Sequence, residues 1–148
     1  METIDFHNKA LIKSTLEKYE NEIVDLNHEV MIVITPDGNV NRYDGDKNSV
    51  NSGDADLTGA YVTHNHPEGE GDFSFSDDDY NLFYDSGMEV LRGIDEKYVY
   101  EIKRNNGVAP ELSELTARRL SHETYRHHIV AYEARKDGFH YERKTRSP

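Results

Sequence analysis

The chain contains no cysteine in its 148 residues. That excludes disulfides, a thiol nucleophile and cysteine-ligated zinc, and leaves histidine, aspartate and glutamate to bind any metal. Long apolar runs are missing too: the longest, Val30 to Ile34, is far too short to cross a bilayer. The first residues lack a basic region followed by an apolar stretch, so nothing indicates secretion and a cytoplasmic location is the expectation. Tryptophan is absent, and the ten tyrosines lack the basic neighbours of a base-stacking surface, so they read as core and sheet-face residues.

Positive charge is scarce, with 17 Lys and Arg against 29 Asp and Glu, a net of -12. The deficit lies ahead of Arg118, where 9 basic residues face 25 acidic ones; from Arg118 onward the balance is 8 to 4. An acidic body argues against direct nucleic-acid binding, which needs a basic surface for phosphate contacts. The basic tail either docks on that body or meets an acidic partner, docking being the plainer reading.

The length suits one domain with helices packed on a sheet. Asn8 to Ile23 predicts a helix, with Ala10, Leu11, Leu16, Tyr19 and Ile23 as its apolar stripe. His28 to Thr35 predicts a buried strand, Pro36-Asp37-Gly38-Asn39 a turn, and Val40 to Tyr43 the returning strand. Asp44 to Thr58 reads as a long polar loop, of the kind that often lines a functional site. Gly59 to His64 is a strand stopped by Pro67, and Glu68 to Asp72 an acidic loop. Ser76 opens a helix that ends at Gly87. Met88 to Ile94 and Tyr98 to Lys103 form two further strands. Pro110 starts a long helix to about Arg135, packing through Leu112, Leu115, Leu120, Ile129 and Tyr132 with its basic side outward. Gly138 to Glu142 is a last short strand. This order predicts an α/β (α+β) fold, a mixed β-sheet flanked by helices.

Chemistry concentrates in Thr63-His64-Asn65-His66-Pro67 and Phe73-Ser74-Phe75-Ser76-Asp77-Asp78-Asp79. Residues i and i+2 of a strand share a face, so His64 and His66 can offer two imidazoles to one ion. Two neutral imidazoles suit zinc, and a carboxylate from elsewhere completes three protein ligands with one position open for water. Taken singly each part is ordinary: Ser followed by three Asp is also a normal helix start.

Taken together, His64-x-His66-Pro67 with a following Ser-x-x-Asp resembles the motif of the JAMM metalloproteases, including their bacterial, phage and RadC-like branches. The resemblance runs from about Asp25 to Arg104. It implies a JAB/MPN-like domain over 1–148 with a three-layer MPN/cytidine-deaminase-like arrangement, 110–148 being a C-terminal helix-and-strand extension. It further implies that His64, His66 and Asp79 bind Zn2+, that Glu29 is the general base and that Ser76 stabilises the oxyanion. Spacing leaves an alternative open. Ser74 with Asp77 keeps the family's usual ten residues after the second histidine; Ser76 with Asp79 adds two in a permissive loop, and is favoured because loop length varies cheaply. The implied reaction is hydrolysis of a peptide or isopeptide bond in a peptide or protein substrate, ubiquitin-like or otherwise peptide-conjugated. A non-catalytic binding or assembly module, or a RadC-like role in DNA processing or mobile elements, stands as the alternative.

The other histidines carry less. His122, His127 and His128 on the last helix lack i, i+4 stacking and read as packed or solvated. His7, His28 and His140 are isolated, although His28 adjoins Glu29.

Overall fold

Every residue of strand β1 (Val30–Ile34) is buried, so both of its faces are covered. Val30, Ile32 and Ile34 cluster with Ile12, Leu16 and Ile23 of helix α1 (Lys9–Ile23). Met31 and Val33 join the opposite cluster, with Phe83 and Val130. Such alternation places the sheet between two helical layers, and each fully buried Ile, Leu or Phe contributes about 1.5–3 kcal/mol. The computed structural model describes residues 2–67, 73–104 and 122–146. Among them lie six strands and three helices, an α+β fold with a mixed sheet.

After β1 come β2 (Val40–Asp44), β3 (Tyr61–Asn65), helix α2 (Asp77–Ser86), β4 (Val90–Ile94), β5 (Tyr98–Lys103), helix α3 (His122–Asp137) and β6 (His140–Thr145). The sheet order is β2-β1-β3-β4-β5-β6. Only β3 and β4 pair in parallel, which requires the crossover that α2 supplies. Residues 45 to 60 form no helix or strand, as their polar composition predicts.

Helix α1 is turned relative to the predicted stripe. Ala10 is exposed and Leu11 and Tyr19 are half-buried, whereas Thr15 and Glu20 face inward. Glu20 can do so because the Arg92 guanidinium meets it bidentately, Nε to Oε2 at 2.7 Å and NH2 to Oε1 at 3.0 Å. Thr63 Oγ1 donates to the same carboxylate at 2.7 Å.

The predicted helix from Pro110 falls partly on residues 105–121, outside the described ones, as do Leu112, Leu115 and Leu120; the Glu68 to Asp72 loop is outside them too. Among the described side chains of α3 the buried ones are Val130, Ala131 and Ala134, while Ile129 and Tyr132 are half-buried. Small alanines let the helix approach the sheet closely. Its basic side is not wholly outward either: Arg126 turns in, donating from Nε to the Phe75 carbonyl at 2.6 Å. Strand β6 runs three residues beyond the predicted Glu142, because pairing with β5 extends through polar Arg143 to Thr145.

Candidate metal centre

Antiparallel pairing sets Met31 opposite His64, and continuing that register by two residues brings Glu29 level with His66. The start of β1 therefore lies beside the end of β3. His64 is 1% exposed, His66 5% and Glu29 7%. Their ligand atoms all lie within 4.8 Å of one another, so this buried group can hold a metal ion.

Helix α2 brings the fourth group. Ser76 is its N-cap, accepting from the Asp79 amide at 3.0 Å, while Asp79 Oδ2 accepts from the Ser76 amide at 2.9 Å. This capping box fixes the Asp79 carboxylate on the side of the helix that faces β3. The ordinary cap and the candidate ligand are thus one structure.

Asp79 Oδ2 stands 3.1 Å from His66 Nε2 and 3.3 Å from His64 Nε2, and the two Nε2 atoms are 3.0 Å apart. Zinc bonds of about 2.0–2.2 Å give a tetrahedron whose edges are about 3.3–3.6 Å. The observed triangle approaches one face of that tetrahedron, so the residues present fit a tetrahedral ion.

The imidazoles are oriented from behind. His64 Nδ1 lies 2.8 Å from the Arg92 carbonyl oxygen, which can only accept, so this nitrogen carries a proton and Nε2 is the atom that could bind an ion. His66 Nδ1 lies 2.7 Å from the Tyr100 hydroxyl. Between the histidines, Asn65 faces the opposite side of the strand and bonds the Val30 amide, tying β3 to β1.

Electrostatics follow from this crowding. Burial pushes the Glu29 carboxyl up, against the opposing pull of His64 and His66. Burial alone lowers His64, but the Asp79 carboxylate outweighs it, with Glu29 and the Arg92 carbonyl adding to the effect, and holds the imidazole at about 9. Asp79 shows the reverse balance: burial raises its carboxyl, yet the two histidines hold it well below the ordinary range. A proton and a metal ion therefore compete for His64 Nε2.

The alternative pair lies elsewhere. Ser74 Oγ is 2.5 Å from the Tyr141 hydroxyl in the core. The Asp77 side chain is 87% exposed and meets Arg126 at 2.9 Å. His28 also turns away from the site, to Asp44 at 3.0 Å. His127 Nδ1 lies 2.8 Å from the Tyr141 hydroxyl, a packed role. The site opens on a cavity of about 340 Å3 lined by Glu29, His66, Ser76, Asp79 and the loop residues 48–51. No helix is long and apolar enough to cross a membrane among the described residues.

Tyr100, Asn65 and the Arg92 carbonyl had no place in the sequence reading of the site. Gly93 was the available signal: a glycine inside a strand marks a close approach, and here it lies under the Tyr100 ring. Compared with known proteins, the chain matches no family model, no curated protein and no solved structure.

Proposed function

We propose that the chain is a zinc-dependent metallohydrolase of the JAMM type, cleaving a peptide or isopeptide bond. The observation that carries this reading is the 3.0–3.3 Å triangle of His64, His66 and Asp79 with the Glu29 carboxylate beside it. His64, His66 and Asp79 would hold the ion, giving two neutral nitrogen donors and one carboxylate. When bound, zinc supplies a Lewis acid that brings a water's pKa toward neutrality.

Glu29 lies at the distance expected of a base acting on a water in the site, within 4.8 Å of the imidazole nitrogens. Its burial favours the protonated form, which suits a group that takes a proton and then returns it. Water oxygen adds to the carbonyl carbon as Glu29 accepts its proton; the C–N bond then breaks and Glu29 passes that proton to the leaving amine. Ser76 uses an oxygen lone pair in the helix cap, leaving its O–H to donate toward the developing oxyanion.

A Glu29 turned away from the histidines would favour a non-catalytic module, so its position beside them supports the catalytic reading. Purification without chelators should yield stoichiometric zinc. Glu29→Gln should keep the zinc and lose hydrolysis of a panel of quenched-fluorescent peptides and lysine isopeptides. Protein free of zinc, or a Glu29→Gln variant as active as wild type, would overturn the proposal.

A further inference from the structure

His64 and His66 are held from behind by different kinds of group. The Arg92 carbonyl can only accept, so it fixes the His64 tautomer by itself. A tyrosine hydroxyl can donate or accept, so Tyr100 alone leaves the His66 tautomer undecided. If the phenol donated to Nδ1, the neutral imidazole would carry its proton on Nε2 and could not bind an ion there.

A third group, Asp95, lies on the same face of the sheet as the phenol. Tyr100 is fully buried, and its ring lies against Gly93, which pairs with Tyr100 on one side and His64 on the other. A Cβ on Gly93 would overlap that ring. Asp95, just beyond β4, is 2% exposed. Its Oδ1 accepts from the Lys97 and Tyr98 amides, each at 2.8 Å, but Oδ2 is buried and closes no hydrogen bond. Asp95 lies two residues beyond Gly93, on the same face of the sheet that the Tyr100 ring covers.

We propose that Asp95 and Tyr100 are positioning residues for the metal: His66 Nδ1–H donates to the phenolic oxygen and the phenol directs its O–H toward Asp95 Oδ2, leaving the His66 Nε2 lone pair for the ion. This is a carboxylate–histidine pair with a phenol between its members, and it rests on the zinc reading above. Partners of this kind typically change metal affinity 10–100-fold.

The test is zinc affinity by chelator competition in folded variants, with urea unfolding as a separate readout. Tyr100→Phe should weaken zinc binding about 10–100-fold. Asp95→Asn keeps the Oδ1 acceptor but places an N–H donor behind the phenol, driving the phenol proton onto His66; its loss should equal or exceed that of Tyr100→Phe. The double variant should return to the Tyr100→Phe level, because Asp95 acts only through the hydroxyl. In the zinc-loaded wild type, nitrogen-15 NMR should place a slowly exchanging proton on His66 Nδ1. Purely additive losses, an unchanged affinity in Tyr100→Phe, or a bare Nδ1 would overturn the relay while leaving the zinc site standing. A wild-type protein that binds no zinc would overturn both.

Discussion

Asn65 Oδ1 accepts a hydrogen bond from the Val30 amide at 2.6 Å, from the side of β3 opposite the two histidines. Its Nδ2 donates to the carbonyls of Ile23 at 2.9 Å and His28 at 3.0 Å. One buried amide thus ties the end of α1 and the approach to β1 to the strand that carries the site, and Glu29 lies between His28 and Val30, two of the three residues it grips.

Asn65→Ala would leave the Val30 amide and the His28 carbonyl without this partner, at about 1–3 kcal/mol each, while the Ile23 carbonyl keeps the Leu26 amide. The expected loss is at least about 2 kcal/mol in urea unfolding. Zinc affinity should fall as well, since Glu29 and His66 lose their common anchor. An unchanged unfolding midpoint would show that solvent replaces the amide at no cost.

Asp79 and Asp77 begin the same helix but point to different surroundings. Asp79→Asn keeps an acceptor for the Ser76 amide while removing the charge 3.1 Å from His66, so it should keep the helix and weaken zinc at least 10-fold. Asp77→Asn changes only the exposed end of a pair with Arg126, whose guanidinium keeps the Phe75 carbonyl, and should leave zinc affinity unchanged, with a stability change within about 1 kcal/mol. Reversed outcomes would return the ligand role to the pair with the shorter spacing.

The contrast marks what one-dimensional information conveys here. Strand alternation puts His64 and His66 on one face, and the Ser76 cap with the Gly87 stop bounds α2; both are local rules visible in a few residues. Glu29 was reachable as the carboxylate leading into the most apolar run. Asp95 and Asn65 were not, and Gly93 marks a close approach without saying that Tyr100 makes it, because these roles depend on which strand lies next to which, and the order β1-β3-β4-β5 is a long-range property. Glu20 was missed for another reason: its burial depends on Arg92, 72 residues away, which overrides the preference of a carboxylate for water.

Alkaline pH should distinguish the metal-free from the metal-bound protein. Without metal, His64 has a folded pKa of about 9 against an ordinary 6.5. A raised imidazole pKa gives stability that is fully present below 6.5 and lost as pH rises through about 9. Bound zinc takes the place of that proton, so the loss should disappear. Melting temperatures of chelator-treated protein should therefore fall between pH 6.5 and 9 relative to those of zinc-loaded protein. At 100 times its Kd, free zinc should add about 2.7 kcal/mol of stability at constant pH. Parallel melting curves with and without chelator would contradict the prediction.

Glu20 and Arg92 supply a test of the support behind His64, whose Nδ1 leans on the Arg92 carbonyl at 2.8 Å. Arg92 Nε and NH2 grip Glu20, and NH1 reaches Glu101 at 2.7 Å, so the guanidinium is almost wholly enclosed by carboxylates. Desolvating such a group costs about as much as its pairing returns, but removing one partner leaves a buried charge. Glu20→Leu should therefore cost about 3–5 kcal/mol. Adding Arg92→Met to Glu20→Leu should recover much of that loss, since an apolar pair of similar volume replaces the ions. Because the contact to His64 is made by backbone, zinc affinity in the double variant should stay within about threefold of wild type, well below the 10–100-fold effect of losing an oriented imidazole partner. A double variant that regains stability but not zinc would mean that the Arg92 side chain, and not only its carbonyl, sets the position of β4 under the site.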